Sequence, residues 1–383
     1  MFTNLYYFPF LIVTAVIYWL LPKRWMRTAF LTVCSLGFIG YFDQKAVYVV
    51  IGLTLFTYFI AYWMEKGKHA GLAHTIGVLG LLAVLIIFKY LGFLTGTINS
   101  LLSFFHALPV FHFEELALPL GISYITFKYI SYLTDIRWKI VSGGNLLDFA
   151  CYGSLFTIFV AGPIERFERL KPQLEAKAEK FKPEYLEIAF QRIVYGLAKK
   201  LILADWLGYF INPVWQNPTN YSALIRIAAL FGYSFQIYFD FAGYSDIAIG
   251  SSRLFGLKIM ENFNKPYLAP NISQFWRRWH ISLSDWIRDY LFFPLSQGKT
   301  NQFWLIFCVP VIAMGLCGLW HGAAWHYVIW GIWHGVGISI LQCWNLFKRA
   351  HKKKMAFVSK SWFKYCSTAL TFVYVTAGWW WFR

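Results

Sequence analysis

The run Gly318-Leu319-Trp320-His321-Gly322 sets one imidazole between glycines in an apolar stretch. An imidazole exchanges protons near neutral pH and suits a general base acting on a hydroxyl, and neighbouring glycines let another molecule come close. The competing reading, which position alone favours, is a packed and hydrogen-bonded core histidine. A second imidazole, His280, belongs to the segment Asn271 to Pro294. Read as one helix, Trp276, Trp279, Leu283, Trp286 and Tyr290 make an aromatic face at spacings of 3, 4, 3 and 4. Arg277, His280, Ser284 and Arg288 form a second stripe, and Arg278, Ser282, Asp285 and Asp289 a third, in which Asp285 and Arg288 are i,i+3 neighbours able to pair. Such a helix is either a basic amphipathic anchor at the cytoplasmic interface, which pattern alone favours, or tucks into the protein with His280 and the arginines facing a polar tunnel.

Asp240-Phe241-Ala242-Gly243-Tyr244-Ser245-Asp246 brings two carboxylates into another apolar run. They line a cavity or, the favoured reading, pair with Arg253 or the arginines downstream. His321, His326 and His334 stand five and eight residues apart with no carboxylate nearby and no His-Glu-x-x-His face, so no metal is expected there. There is no glycine-rich phosphate loop, nucleophile elbow or kinase motif, and His69, His74, His106, His112 and His351 carry no usable signal.

The elements that must position these residues are apolar throughout. The 383 residues are 58% hydrophobic and 14% charged, with a mean hydropathy of +0.49, against an apolar share of roughly 45–50% in soluble domains. That composition predicts an all-α polytopic membrane protein and excludes a disordered tail, a collagen-like fibre and a small disulfide scaffold. Lys+Arg 35 against Asp+Glu 18 gives a net charge of +17, with many cations between apolar runs, so the implied partner is the anionic membrane surface and lipids, with no nucleic acid. Apolar runs recur at about 28–41, 46–63, 71–94, 98–111, 116–134, 146–162, 197–211, 221–250, 303–320, 325–347 and 363–382. With roughly 20 residues needed per crossing, they predict about nine to eleven transmembrane helices, the rest re-entrant or interfacial. The opening run 1–21 reads as a retained first span because its cations, Lys23, Arg24 and Arg27, follow it. Those cations, Lys66, Lys68 and the cluster Lys348, Arg349, Lys352, Lys353 and Lys354 predict cytoplasmic loops and an external amino terminus. Counted from a cytoplasmic Gln302, His321 lies nearly 30 Å along its helix, less in true depth if the helix tilts, and so belongs deep, away from the cytoplasm.

The stretch 163–200 mixes Glu165, Arg166, Lys177, Glu179 and other charges of both signs and predicts short surface helices. Trp19, Trp25, Trp63, Trp379, Trp380 and Trp381 near run ends predict interfacial belts. The six cysteines read as buried thiols, and no internal repeat is visible.

Phe275-Trp276-Arg277-Arg278-Trp279-His280-Ile281-Ser282-Leu283-Ser284, Arg288-Asp289-Tyr290-Leu291 and Gly318-Leu319-Trp320-His321-Gly322 resemble the signature of the membrane-bound O-acyltransferase superfamily. Upstream, Leu118-Pro119-Leu120-Gly121-Ile122-Ser123, Ala161-Gly162-Pro163-Ile164, Asp240 to Asp246 and Glu261-Asn262-Phe263-Asn264 extend the likeness over about 118–345. The wording is most similar to the bacterial alginate O-acetylation branch, with the D-alanyl teichoic-acid branch a close cousin. Alginate-branch members continue past Gly378-Trp379-Trp380-Trp381-Phe382-Arg383, so either the end is missing or this is a shorter relative, its compact length closer to the D-alanyl branch.

The resemblance implies one integral-membrane domain, with amino-terminal spans at 1–115, a core at 116–345 and a polybasic loop and last span at 346–383. It implies a central tunnel in which His321 is the superfamily histidine and His280 the second catalytic position. Arg277, Arg278, Ser284, Trp320 and Asp246 are tunnel candidates, with structural roles favoured for Arg277, Arg278, Trp320 and Asp246. The expected reaction carries a small acyl group, acetyl first, from a cytoplasmic thioester, acetyl-CoA or an acyl carrier protein, to a hydroxyl on an extracytoplasmic polysaccharide or relay acyltransferase. No tightly bound cofactor and no metal are expected, and the place is the bacterial inner membrane. D-alanyl transfer to teichoic acid is the alternative; an export subunit or an idle scaffold are alternatives of another class.

Overall fold

The computed structural model describes residues 4, 6–105, 116–176, 180–297 and 301–383, omitting the side chains of 352–354 and 356, so His106, His112, Lys177, Glu179 and the side chains of Lys352, Lys353 and Lys354 lie outside it. Among the described residues the fold is all-α, and its one β pairing is an isolated antiparallel bridge between Phe263 and Trp279. Gln44–Lys66, Ala70–Phe104 and Trp304–His321 are long and apolar enough to cross a membrane by length and composition. Other apolar runs become long helices that carry more polar residues, Ala223–Arg253, Trp325–Ala350 and Ser361–Phe382 among them.

The chain divides into two compact units, residues up to Ile193 with Ile247–Met260, and Val194–Asp246 with Glu261–Arg383. In the first, Tyr132, Phe149 and Phe167 stack about one another, with Tyr132 and Phe149 ring centroids 4.4 Å apart. Lys128, 3% exposed, donates to the Tyr152 carbonyl and lies 4.3 Å from that ring. The stretch expected to hold short surface helices does form one, Phe167–Glu175, but its inner face, Phe167, Leu170 and Leu174, is buried. Just before it, fully buried Glu165 accepts from Arg169 Nε at 3.0 Å and from the Met260 amide at 2.8 Å. All six cysteines are free thiols, and Cys366 is exposed.

The second unit is built around the pair Val309–His321 and Trp325–Ala350. Small residues let the two backbones touch: a Cβ on Gly331 would stand 2.1 Å from the Met314 carbonyl oxygen, and one on Gly318 2.0 Å from that of Tyr327. Where the surroundings are apolar, such dispersion-dominated contact drives helix association. Ser361–Phe382 packs on Trp325–Ala350, and Tyr374 Oη donates to the Trp333 carbonyl at 2.6 Å while Trp333 Nε1 returns a bond of 3.1 Å to the Tyr374 carbonyl. Here the belt expectation fails for Trp379, which is fully buried with its ring 5.0 Å from Trp279 and 5.8 Å from Trp330, whereas Trp25 and Trp380 are exposed. Position near a run end could not distinguish an anchor from a ring turned inward.

Gly331→Ala must part the two helices, and overpacking of this kind costs about 1–3 kcal/mol. Thermal unfolding in detergent is expected to show that loss, with Gly52→Ala, where a Cβ meets nothing within 4 Å, at or above wild-type stability.

Candidate functional site

The segment 271–294 is not one helix. It comprises Ile272–Trp276, then Ile281–Ile287, a π turn Arg288–Phe292 and Phe293–Ser296. The break is His280, whose φ of 43° lies in the left-handed region and which caps Ile281–Ile287. The three stripes therefore do not run unbroken down one cylinder. The Asp285–Arg288 pair does form, at 2.6 Å, and Arg288 also holds Asp289 at 2.8 Å. Trp276, Trp279, Leu283 and Trp286 are all buried, so the aromatic face is spent on protein contacts and the segment tucks inward.

A left-handed residue takes its neighbours out of helical pairing, and their backbone groups need other partners. Residues 262–264 supply them. The Asn264 amide donates to the Arg278 carbonyl at 2.9 Å and the Ile281 amide to the Asn262 carbonyl at 2.9 Å, bracketing His280. Asn262 Oδ1 accepts from Ser282 Oγ at 2.9 Å and from the Ser282 amide at 3.3 Å, while its Nδ2 donates to Ser245 Oγ at 3.1 Å. One amide side chain thus ties the helix bearing Ser245 to the start of Ile281–Ile287. Asn262 and Ser245 stood inside recognised motifs without being singled out as site residues; their signal was a polar residue beside each motif's carboxylate.

The strap delivers His280 to His321. Their ring centroids are 6.4 Å apart, and the Trp320 ring stands 6.3 Å from His280 and 5.0 Å from His321. His280 is 1% exposed, with the Phe241 ring 4.6 Å away, and its Nε2 has no hydrogen-bond partner. Burial, and secondarily the neighbouring His321, pull its pKa well below the ordinary imidazole value. His321 is half-buried at the last position of Val309–His321, with Trp330 and Phe382 rings 5.2 and 5.1 Å away.

A cavity of about 290 Å³ is lined by Trp276, Arg277, Ser284, Arg288, Met314 and Cys317 among others, and by neither histidine. Cys317 precedes His321 by one turn, about 6 Å. Arg277 is exposed and makes no ion pair among the described residues. The other candidates are engaged elsewhere: Arg278 Nη1 donates to the Leu268 carbonyl at 3.2 Å, Ser284 Oγ to that of Trp279 at 3.0 Å, and Asp246 pairs closely with Lys199. The carboxylates of 240–246 pair, as favoured, but with lysines, Asp240 meeting Lys200 at 2.6 Å. His334 is fully buried against Trp276 and Trp330, His326 Nδ1 lies 2.8 Å from the Trp381 carbonyl, and no group of three metal-ligating side chains occurs among the described residues.

The left-handed backbone predicts an order among replacements. His280→Asn, whose side chain tolerates φ > 0, is expected to unfold close to wild type in detergent, and His280→Val about 1–2 kcal/mol lower. In native protein His321 is expected to react with diethyl pyrocarbonate well before His280; Asn262→Ala should bring the two rates together, as peptide mapping would report.

The model of the membrane-bound O-acyltransferase family matches residues 33–373. The chain is 36% identical over 345 residues to the probable alginate O-acetylase AlgI of Pseudomonas aeruginosa, covering 88% of this chain and 65% of that protein. It is 31% identical to the peptidoglycan O-acetyltransferase of Helicobacter pylori, covering 95% of this chain and 71% of that one. It is 34% identical to the teichoic acid D-alanyltransferase of Bacillus subtilis, covering 68% and 67%. The chain thus spans about two thirds of the length of these curated relatives. A family-model match over residues 33–373, most of the chain, makes this protein a member of the membrane-bound O-acyltransferase family.

Proposed function

We propose that this protein transfers a small acyl group, acetyl in the first instance, from a thioester donor to a hydroxyl of a cell-envelope polymer or of a relay protein outside the bacterial inner membrane. The observation that carries the reading is the meeting of His280, at the break between two short helices, and His321, at the end of another, with ring centroids 6.4 Å apart. His321 acts as general base: it takes the proton of the acceptor hydroxyl as that oxygen attacks the acyl carbon. The tetrahedral intermediate collapses with cleavage of the carbon–sulfur bond, and the thiolate takes up the proton from the imidazolium. His280, held neutral by burial, donates a hydrogen bond to the developing oxyanion; a preorganised donor of this kind contributes about 3–4 kcal/mol. Trp320 fixes the ring of His321 by contact at 5.0 Å.

The donor, acetyl-CoA or an acyl carrier protein, fits the cavity at Arg277, whose exposed guanidinium suits a phosphate on the donor arm, while Met314 and Cys317 accept the apolar remainder. The names of the relatives in Pseudomonas aeruginosa and Helicobacter pylori favour acetyl and a polysaccharide acceptor; the name of that in Bacillus subtilis favours D-alanyl and teichoic acid.

Ester on purified envelope polymers, weighed by mass in cells lacking the native protein, tests both points. At matched membrane levels His321→Ala is expected to lower ester formation by about 10²–10⁴ and His280→Asn by about 10²–10³. Persistence of the ester in His321→Ala would mean export or scaffolding without chemistry here, and an alanyl mass would move the reading to D-alanyl transfer. In membranes, Arg277→Gln is expected to raise KM for the thioester about tenfold with kcat within twofold, the signature of lost ground-state binding worth about 1.4 kcal/mol.

A further inference from the structure

A cavity of about 730 Å³ in the second unit, with neither His280 nor His321 in its lining, lies between the far ends of Trp325–Ala350 and Ser361–Phe382 and beside Ile272. Its two ends differ. Lys348, Lys364 and Asn345 stand at one, Leu341 and Leu370 line the middle, and Gly337 and Tyr374 close the other. No carboxylate lines it, and neither lysine makes an ion pair among the described residues. From Lys348 back to Gly337 the helix climbs about 16 Å. Half of a ~30 Å hydrocarbon core is about 15 Å, the reach of one leaflet's acyl chain. The volume falls in the range of small-molecule sites, roughly 300–1,000 Å³.

An apolar slot as long as one leaflet, with two ammonium groups at its mouth that make no ion pair among the described residues, matches an anionic amphiphile in charge, length and polarity together. A soluble phosphate compound would leave the apolar end unfilled, and a zwitterionic lipid would set its own cation beside the lysines. We propose that this cavity binds one anionic phospholipid, its phosphate between Lys348 and Lys364 and an acyl chain along Leu341 and Leu370 toward Tyr374. The sequence around it, Lys348, Arg349, Lys352, Lys353 and Lys354, enriches anionic lipid on that side. The bound chain bridges two helices whose other ends carry Trp330 and Phe382, the rings beside His321, so occupancy steadies the wall of the histidine site.

The test uses the full chain purified in detergent, read by native mass spectrometry and thermal unfolding. Phosphatidylglycerol is expected to give a one-lipid adduct and a raised unfolding temperature; phosphatidylcholine and inorganic phosphate are expected to give neither. Lys348→Gln with Lys364→Gln should weaken phosphatidylglycerol binding about 30-fold, roughly fivefold per lysine, with lipid-free unfolding unchanged. Leu341→Trp, which fills the slot and leaves both lysines, should abolish the adduct. Equal stabilisation by phosphatidylcholine would reduce the slot to ordinary lipid contact, equal stabilisation by phosphate would reduce it to an ion site, and an unchanged response in both variants would place the lipid elsewhere; each overturns the proposal.

Discussion

The second unit turns on how a left-handed histidine is held in a buried place. Burying an imidazole and breaking a helix at the same residue leaves backbone groups that must find partners inside the protein, because an unmet one costs about 1–3 kcal/mol. Residues 262–264 meet that requirement from both sides of His280, and the side chain of Asn262 meets it again at Ser282 and Ser245. The position of His280 is therefore set by backbone pairing as well as by packing of its own ring.

His321 is placed by different physics. It has no strap; it stands at the end of a helix whose depth against its neighbour is fixed by Gly318 and Gly331, where no side chain fits. Phe382 of the closing helix and Trp330 then wall it in. One imidazole is buried, the other half-buried at the last position of its helix. Two chemically identical side chains thereby stand in different surroundings, as the proposed division into hydrogen-bond donor and base requires.

Much of this was legible in the residues. Apolar runs gave the all-α fold, and the Trp320-His321-Gly322 motif and the His280 motif pointed to the pair that the fold brings together. What escaped was the break. The 3.6-residue periodicity of Trp276, Trp279, Leu283 and Trp286 is genuine, and all four are buried, yet they reach the core from two short helices because the backbone turns at His280. Periodicity reports which residues face inward and is blind to a single positive φ, for which histidine offers no mark as plain as glycine's. Asp246 illustrates the same limit, since its partner Lys199 comes from a segment that no local spacing connects to it.

The central claim is that His280 and His321 act as one site, and a double-mutant cycle measures it most directly. Ester formation would be compared for His280→Asn, His321→Asn and the pair together, at matched levels of folded protein. If the histidines work on the same transition state, the double variant is no slower than His321→Asn alone, because the second loss has nothing left to remove. If instead the two losses multiply, the rings are neighbours acting separately and the single-site account fails.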